Sequence, residues 1–198
     1  MPYSKVHKQQ TRELIVENAR VLFNRHGFHG VSIDVVMESV GLTRGGFYNH
    51  FKSKEELYRE AVSSFLMGRG AQWRDSAGID LKNLDPEMAR QMLKSYLSTE
   101  HLGDIDGQCP MIALPSDVAR EKPDVQASYQ MLLEAMVSLF TDGLNCRTGD
   151  VRRKALSLAA LAVGGMVLAR SLPDSSLAKE IQDAALTSAN ELIDSDEA

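Results

Sequence analysis

The chain has 198 residues, 43% of them hydrophobic, and a net charge of −5, so it is long enough for a small module plus a core of its own. Two cysteines, Cys109 and Cys146, have no metal-ligand spacing and are too few for a disulfide framework, so no metal and no cofactor is expected. A polar start without a signal peptide, and a longest apolar run (155–169) too short and too rich in Ala and Gly to span a bilayer, lead us to expect no membrane association and a cytoplasmic location.

In chain order, Ile15, Ala19, Leu22 and Phe23 recur at helical spacing, and Gly27-Phe28 gives a C-terminal stop. Ser32 caps a second helix carrying Asp34 in its first turn and Ile33, Val36, Met37 and Val40 as its apolar stripe. Gly41 supplies a turn. Thr43 is the expected N-cap of a third helix from about Arg44 to His50, its hydroxyl accepting from an amide one turn ahead. Phe47 and Phe51, four apart, share a face and point to the core. Ser53-Lys54-Glu55-Glu56 is a capping box for a long helix reaching Trp73. Gly78 to Pro86 is a loop, and Met88 to Thr99 is amphipathic. A connector, 103–108, leads to a helix from Cys109-Pro110 to about Arg120, another from Pro123 to about Asn145, one from Asp150 through Arg170, and a last from Ser176 to Ile193. No strand alternation and no repeat is present, so the fold class is all-α.

The third helix carries the chemistry. Two glycines in so short a helix cost about 1 kcal/mol each relative to alanine, and that cost needs a reason. Gly45 and Gly46 would let backbone amides approach a phosphate or base edge. Arg reads guanine and Asn reads adenine, while Thr, Tyr, His and Lys hold phosphates. Lys54 stands at a helix N-terminus, where the macrodipole disfavours a cation; a bridging phosphate would explain it. The candidate DNA-binding residues are therefore Thr43, Arg44, Gly45, Gly46, Tyr48, Asn49, His50 and Lys54 in a helix-turn-helix unit. Residues 1–54 carry a net +4, leaving −9 on the rest, which is the charge division of a DNA reader. Lys5, Lys8 and Arg12 form a basic arm that either enters a minor groove or is a solvated tail.

From about Thr11 to Tyr58 the sequence resembles the TetR family of bacterial transcriptional regulators. Ile15, Ala19, Phe23, Gly27, Ser32, Gly41, Leu42, Thr43, Gly46, Tyr48, His50, Phe51, Lys54 and Leu57 carry the resemblance. Met37 and Val40 depart from it, standing where alanine is usual, and would open the crossing of the two helices slightly. The resemblance implies a DNA-binding domain over 1–54 and a helical ligand-binding and dimerisation domain over 55–198. It also implies a homodimeric repressor on a palindromic, double-stranded operator, and no enzyme.

Small residues on the last two long helices, among them Ala155, Ala159, Ala160, Ala162, Gly164, Gly165, Ala178, Ala184, Ala185 and Ala189, suit either packing within one chain or a homodimer through those helices; the resemblance favours the dimer. Methionines and aromatics in the middle helices suit a pocket for a small, mostly apolar effector. Its candidate residues are Trp73, Met92, Tyr96, Cys109, Met111, Tyr129, Met136 and Phe140, with Gln72, His101 and Glu134 as further polar handles. Cys109, at an expected helix N-terminus, supports an alternative, a redox- or electrophile-sensing repressor. An enzyme built on Cys109 and His101 lacks a third partner or an oxyanion turn. Cys146 reads as structural.

Overall fold

The computed structural model describes residues 5–144, 150–173 and 175–195. Every regular element among them is helical: α1 (Lys5–Gly30), α2 (Ile33–Ser39), α3 (Arg44–Phe47), α4 (Lys54–Ser64), α5 (Arg69–Ser76), α6 (Pro86–Tyr96), α7 (Thr99–Gly103), α8 (Pro110–Ala113), α9 (Pro115–Val118), α10 (Pro123–Gly143), α11 (Val151–Arg170) and α12 (Ser176–Asp194). Cys146 lies outside the described residues.

Several helices are shorter than the periodicity suggests. The long helix after Lys54 stops at Ser64 and resumes at Arg69. Its ladder tightens where the Phe65 amide donates to Val62 one residue early, and Gly68 favours the break. The helix opened by Pro110 breaks at Pro115, which has no amide to donate and disfavours helical geometry at Leu114 (φ −124°, ψ 12°). Helix α7 falls in what reads as the end of α6 and a connector; Ser98 caps it by accepting from the His101 amide, 3.0 Å away. Asp150 is the N-cap of α11 but makes no side-chain capping bond, its carboxylate accepting from Arg153 instead.

Packing divides the chain into two compact units, Met1–Gly68 with Ile105–Gln130, and Arg69–Asp104 with Met131–Ala198. A cut after residue 54 separates α4 from the helices it packs on. In the first unit Ile15, Ala19, Phe23, Met37, Phe47, Phe51, Leu57 and Tyr58 form the core, each almost wholly buried. Met37 fits under α3, where a Cβ at Gly46 would lie 3.6 Å from its Cε in ordinary contact. Residues 105–130 are tied to α1. Arg20 donates to the Asp106 carbonyl (2.7 Å) and Asn24 to the Gln108 carbonyl (2.8 Å). Gly27 takes a left-handed φ of 70°, which breaks α1 and turns the Phe28 amide to the Asp117 carboxylate at 3.0 Å.

In the second unit α11 and α12 pack along their lengths through Ala155, Leu158, Ala159, Ala162, Gly165, Met166 and Ala169 against Ala178, Gln182, Ala185, Ala189 and Ile193. The small residues allow the close approach, and a Cβ at Gly165 would lie 3.0 Å from Ala185 Cβ. Buried Gln182 donates to the carbonyls of Leu97 and Ser98 (3.1 and 3.2 Å), satisfying the end of α6.

Candidate nucleic-acid interface

Helix α2 is capped by Ser32, whose hydroxyl accepts from the Val35 amide. It ends in a paired closure: Gly41, at φ 70°, donates to Glu38 O, and Leu42 donates to Met37 O at 2.8 Å. That closure aims the next element. Helix α3 is a single turn ending at Phe47, not at His50. Gly46, Asn49 and His50 donate three residues back, to Thr43, Gly46 and Phe47, so 48–50 form a tightened turn. Thr43 occupies the N-cap in extended geometry, but its hydroxyl makes no capping bond; the capping hydroxyl expected from sequence is left for another partner.

Phe47 and Phe51 anchor this segment from below, with ring centroids 5.4 Å apart. Above them Thr43, Arg44, Gly45, Tyr48 and Asn49 are exposed, and Gly46 and His50 half-buried. Tyr48 is 59% exposed, an unusual place for a large aromatic side chain. A Cβ at Gly45 would meet nothing within 4 Å, and its φ is not positive. Neither sterics nor backbone conformation within the chain requires glycine there. Arg44 forms an exposed ion pair with Asp34 of α2, a partner the sequence does not announce because the two stand ten residues apart.

Ser53 caps α4 by accepting from the Glu56 amide (3.2 Å). Glu56 reaches back one residue further than a capping box predicts, to the Lys52 amide at 2.7 Å, and that bond holds its carboxyl below the usual carboxylate range. Lys54 is half-buried, its ammonium 4.2 Å above the Phe28 ring. Burial pushes its pKa down, against the opposing pull of Glu55 and Glu121. The cation–π contact offsets the macrodipole's disfavour for a lysine at this helix start.

Lys5, Lys8 and Arg12 all belong to α1 and are not a loose arm. Arg12 is committed to α4: it donates to Glu56 (3.4 Å) and Glu60, with its guanidinium 4.1 Å over Phe51. His7, Lys8 and Thr11 of α1 line a notch together with Leu42, Gly46, Asn49 and His50. Sequence reasoning missed this side of the surface, because α1 meets the recognition segment only in three dimensions.

The effector candidates fall in both units. In the second, Met92, Tyr96, Met136 and Phe140 are buried. Trp73 joins Tyr96 and His101, with ring centroids 5.9 Å from Tyr96 and 5.6 Å from His101. Burial lowers the His101 pKa, while the Tyr96 carbonyl, 2.8 Å from Nδ1, opposes this. In the first unit, Cys109 and Met111 are buried. The Tyr129 hydroxyl donates to the Met111 carbonyl at 3.0 Å, and burial pushes its pKa up to about 12. Cys109 is the N-cap of a one-turn helix and only 2% exposed, a setting that restricts access of an electrophile to the sulfur. Among the described residues no group of three or more His, Cys, Asp or Glu could hold a metal ion, and no helix is long and apolar enough to cross a membrane.

Residues 15–61 match the family model described as bacterial regulatory proteins, tetR family. The chain is 32% identical over 104 residues to the uncharacterized HTH-type transcriptional regulator YfiR of Bacillus subtilis, a match covering 52% of this chain and 47% of that protein. It is 40% identical over 58 residues to the transposon Tn10 TetC protein of Escherichia coli, covering 27% of this chain and 29% of that protein. The chain thus spans less than half the length of these relatives. Among solved structures, the reduced form of E. coli NemR superposes with a TM-score of 0.74 at 18% identity, covering 92% of this chain and 96% of that one. That likeness shows the all-helical fold: an N-terminal helix-turn-helix domain and a larger helical remainder.

Proposed function

We propose that the chain, whose residues 15–61 match the model of the tetR family of bacterial regulatory proteins, is a ligand-responsive transcriptional repressor of that family that binds a palindromic operator as a homodimer. The observation that carries the reading is Gly45. It is an exposed helical glycine with empty space above it, among exposed Arg44, Tyr48 and Asn49 and over a buried Phe47–Phe51 platform. Only a partner outside the chain gains from the missing side chain. Arg44 is its base reader, with Thr43, Tyr48, Asn49 and His50 on phosphates. Lys54 serves first as a fixed charge behind them.

Dimerisation is assigned to α11 and α12. Leu156, Ala160, Gly164 and Leu168 lie four residues apart in one line. Leu156 and Leu168 are 44% and 58% exposed, and a Cβ at Gly164 would meet nothing within 4 Å. A second copy of this helix would cover that line, and two recognition segments would then read half-sites about 34 Å apart.

A small, mostly apolar effector binds the second unit, where we assign contacts to Trp73, Met92, Tyr96, Met136 and Phe140. Cys109, Met111 and Tyr129 are the candidates in the first. By favouring a geometry unsuited to the operator, with a coupling of about 1–3 kcal/mol, the effector would weaken DNA binding roughly 5- to 150-fold. The burial of Cys109 gives the electrophile-sensing alternative no support.

Fluorescence anisotropy tests this reading, with DNA from beside the chain's own gene against scrambled DNA over a salt series. Tight, salt-sensitive binding at two chains per duplex, favouring the native sequence, is expected. Equal, weak binding to both after a wider operator selection would sink the repressor reading.

A further inference from the structure

We propose that the notch between the start of α1 and the end of the recognition segment seats one backbone phosphate of the bound duplex, held by Lys8, Asn49 and His50. This rests on the DNA-reading function proposed above and adds a contact on a helix outside the helix-turn-helix.

The notch has a volume of about 410 Å³ and is lined by His7, Lys8 and Thr11 from α1 and by Leu42, Gly46, Asn49 and His50 from the turn and recognition segment. No carboxylate lines it, in a chain with 27 acidic residues against 22 basic ones. A concavity that is basic and free of acids in an acidic chain suits an anion.

The donors are open. Lys8 is exposed and makes no ion pair among the described residues, whereas Arg12, one turn on, is engaged by Glu56 and Glu60. The exposed Asn49 side chain makes no hydrogen bond among the described residues. The Thr11 hydroxyl is already spent on the His7 carbonyl at 2.9 Å, so it lines the notch without donating.

His50 shapes the base. Its Nδ1 is buried with no hydrogen-bond partner among the described residues, which leaves Nε2 as the nitrogen that can take up a proton and donate it to a phosphate. The charges that act on it are Lys8 and Arg12 from α1, with His7 beside it in the notch; Arg12 is itself paired with Glu56 and Glu60 of α4, and Lys52 stands two residues along the chain. Burial, then Lys8 and Arg12, lower its pKa, so it is neutral in the free protein near neutral pH. A phosphate seated beside it opposes those cations and draws a proton onto the ring. DNA binding is then accompanied by proton uptake, and affinity falls as pH rises through the histidine range.

The test needs no operator, because phosphate contacts are independent of sequence. Anisotropy with a labelled random duplex would compare the full-length chain with Lys8→Ala, Lys5→Ala and His50→Gln, over roughly 50 to 200 mM salt and about pH 6 to 8. Lys5 is the control, a lysine on the same helix outside the notch. Lys8→Ala should lower the salt slope by about 0.9 per chain, shrinking the affinity lost over that salt range about 3.5-fold. Lys5→Ala should change it less, and His50→Gln should flatten the pH dependence. Equal slopes for the two lysine variants, or an unaltered pH profile in His50→Gln, would overturn the seat and leave the DNA-reading function standing. A wild-type chain that binds no duplex overturns both.

Discussion

Gly45 and Gly164 share one property: a Cβ at either would meet nothing within 4 Å. Neither has a positive φ, and each costs its helix about 1 kcal/mol relative to alanine. Their surroundings differ. Gly45 sits on a one-turn helix among Arg44, Tyr48 and Asn49. Gly164 sits within a 20-residue helix, in line with Leu156, Ala160 and Leu168. At these two places the neighbours of a glycine that its own fold does not need indicate the chemistry of a partner outside the chain. Hydrogen-bond donors suit an anionic duplex, and an apolar line suits another helix.

The largest effect comes from removing what holds one side of this comparison in place. Phe47→Ala takes away a wholly buried ring and should cost about 3–5 kcal/mol of stability in urea titrations. A loss below 1 kcal/mol would mean that the recognition segment does not depend on its platform. Next, the same substitution at adjacent glycines separates an inward from an outward one. Gly165→Val meets Ala185 Cβ and Leu97 Cδ2, each 3.0 Å from the added Cβ, and should cost about 1–3 kcal/mol by overpacking. Gly164→Val meets nothing in its own chain, so it should leave the monomer's stability intact and shift sedimentation toward monomer. An unchanged dimer in Gly164→Val would remove this line of α11 from the interface.

A polar group locked inward provides a further contrast with the outward donors. The folded-state pKa of His101 lies below its ordinary value of 6.5, first because of burial. The unfolded chain therefore binds more protons in that window. Stability should be complete above about pH 6.5 and decline as pH falls below it. Urea melts at falling pH should show this decline, and His101→Gln should lessen it. An equal decline in the variant would place the titrating group elsewhere.

Gly45→Ala sharpens the comparison most directly, although its effect on folding is small. Stability should rise by up to about 1 kcal/mol, while DNA affinity drops by roughly tenfold or more, the scale of one lost contact. A more stable variant that binds DNA as well as the wild type would remove the argument from the empty space.

Much of this was legible in the sequence, for local reasons. Ser32, Gly41 and Ser53 act within a few residues of themselves, so their caps and turns follow from residue type, and Phe47 and Phe51 betray their shared face by spacing. The misses are cases where a competing group intervened. Thr43 has a capping residue's identity and place, yet no capping bond. Lys54 has a partner in the Phe28 ring, 26 positions earlier, which local reasoning does not reach. Periodicity carried one helix across Ser64 and another across Pro115, where a tightened hydrogen bond and a missing amide set the true ends. The Lys8–Asn49–His50 notch and the Asp34–Arg44 pair join separate elements, and no spacing rule reaches them.

The smallest expected effect concerns that pair. Asp34 stands in the first turn of α2, and its bond to Arg44 is exposed, the two side chains 43% and 60% accessible. Such a pair contributes about 0–1 kcal/mol, so Asp34→Ala should change stability by less than about 1 kcal/mol, including its dipole contribution. DNA binding should change in two ways. Removing a negative charge beside the reading surface raises affinity for every duplex. Losing the carboxylate that aims the guanidinium lowers the ratio of native to scrambled DNA, because a base contact depends on geometry more than on charge. In an Arg44→Ala background the first effect should persist and the second should vanish. A general rise with the ratio intact would mean that Asp34 acts only as a charge, and that the aim of Arg44 is set by α3 itself.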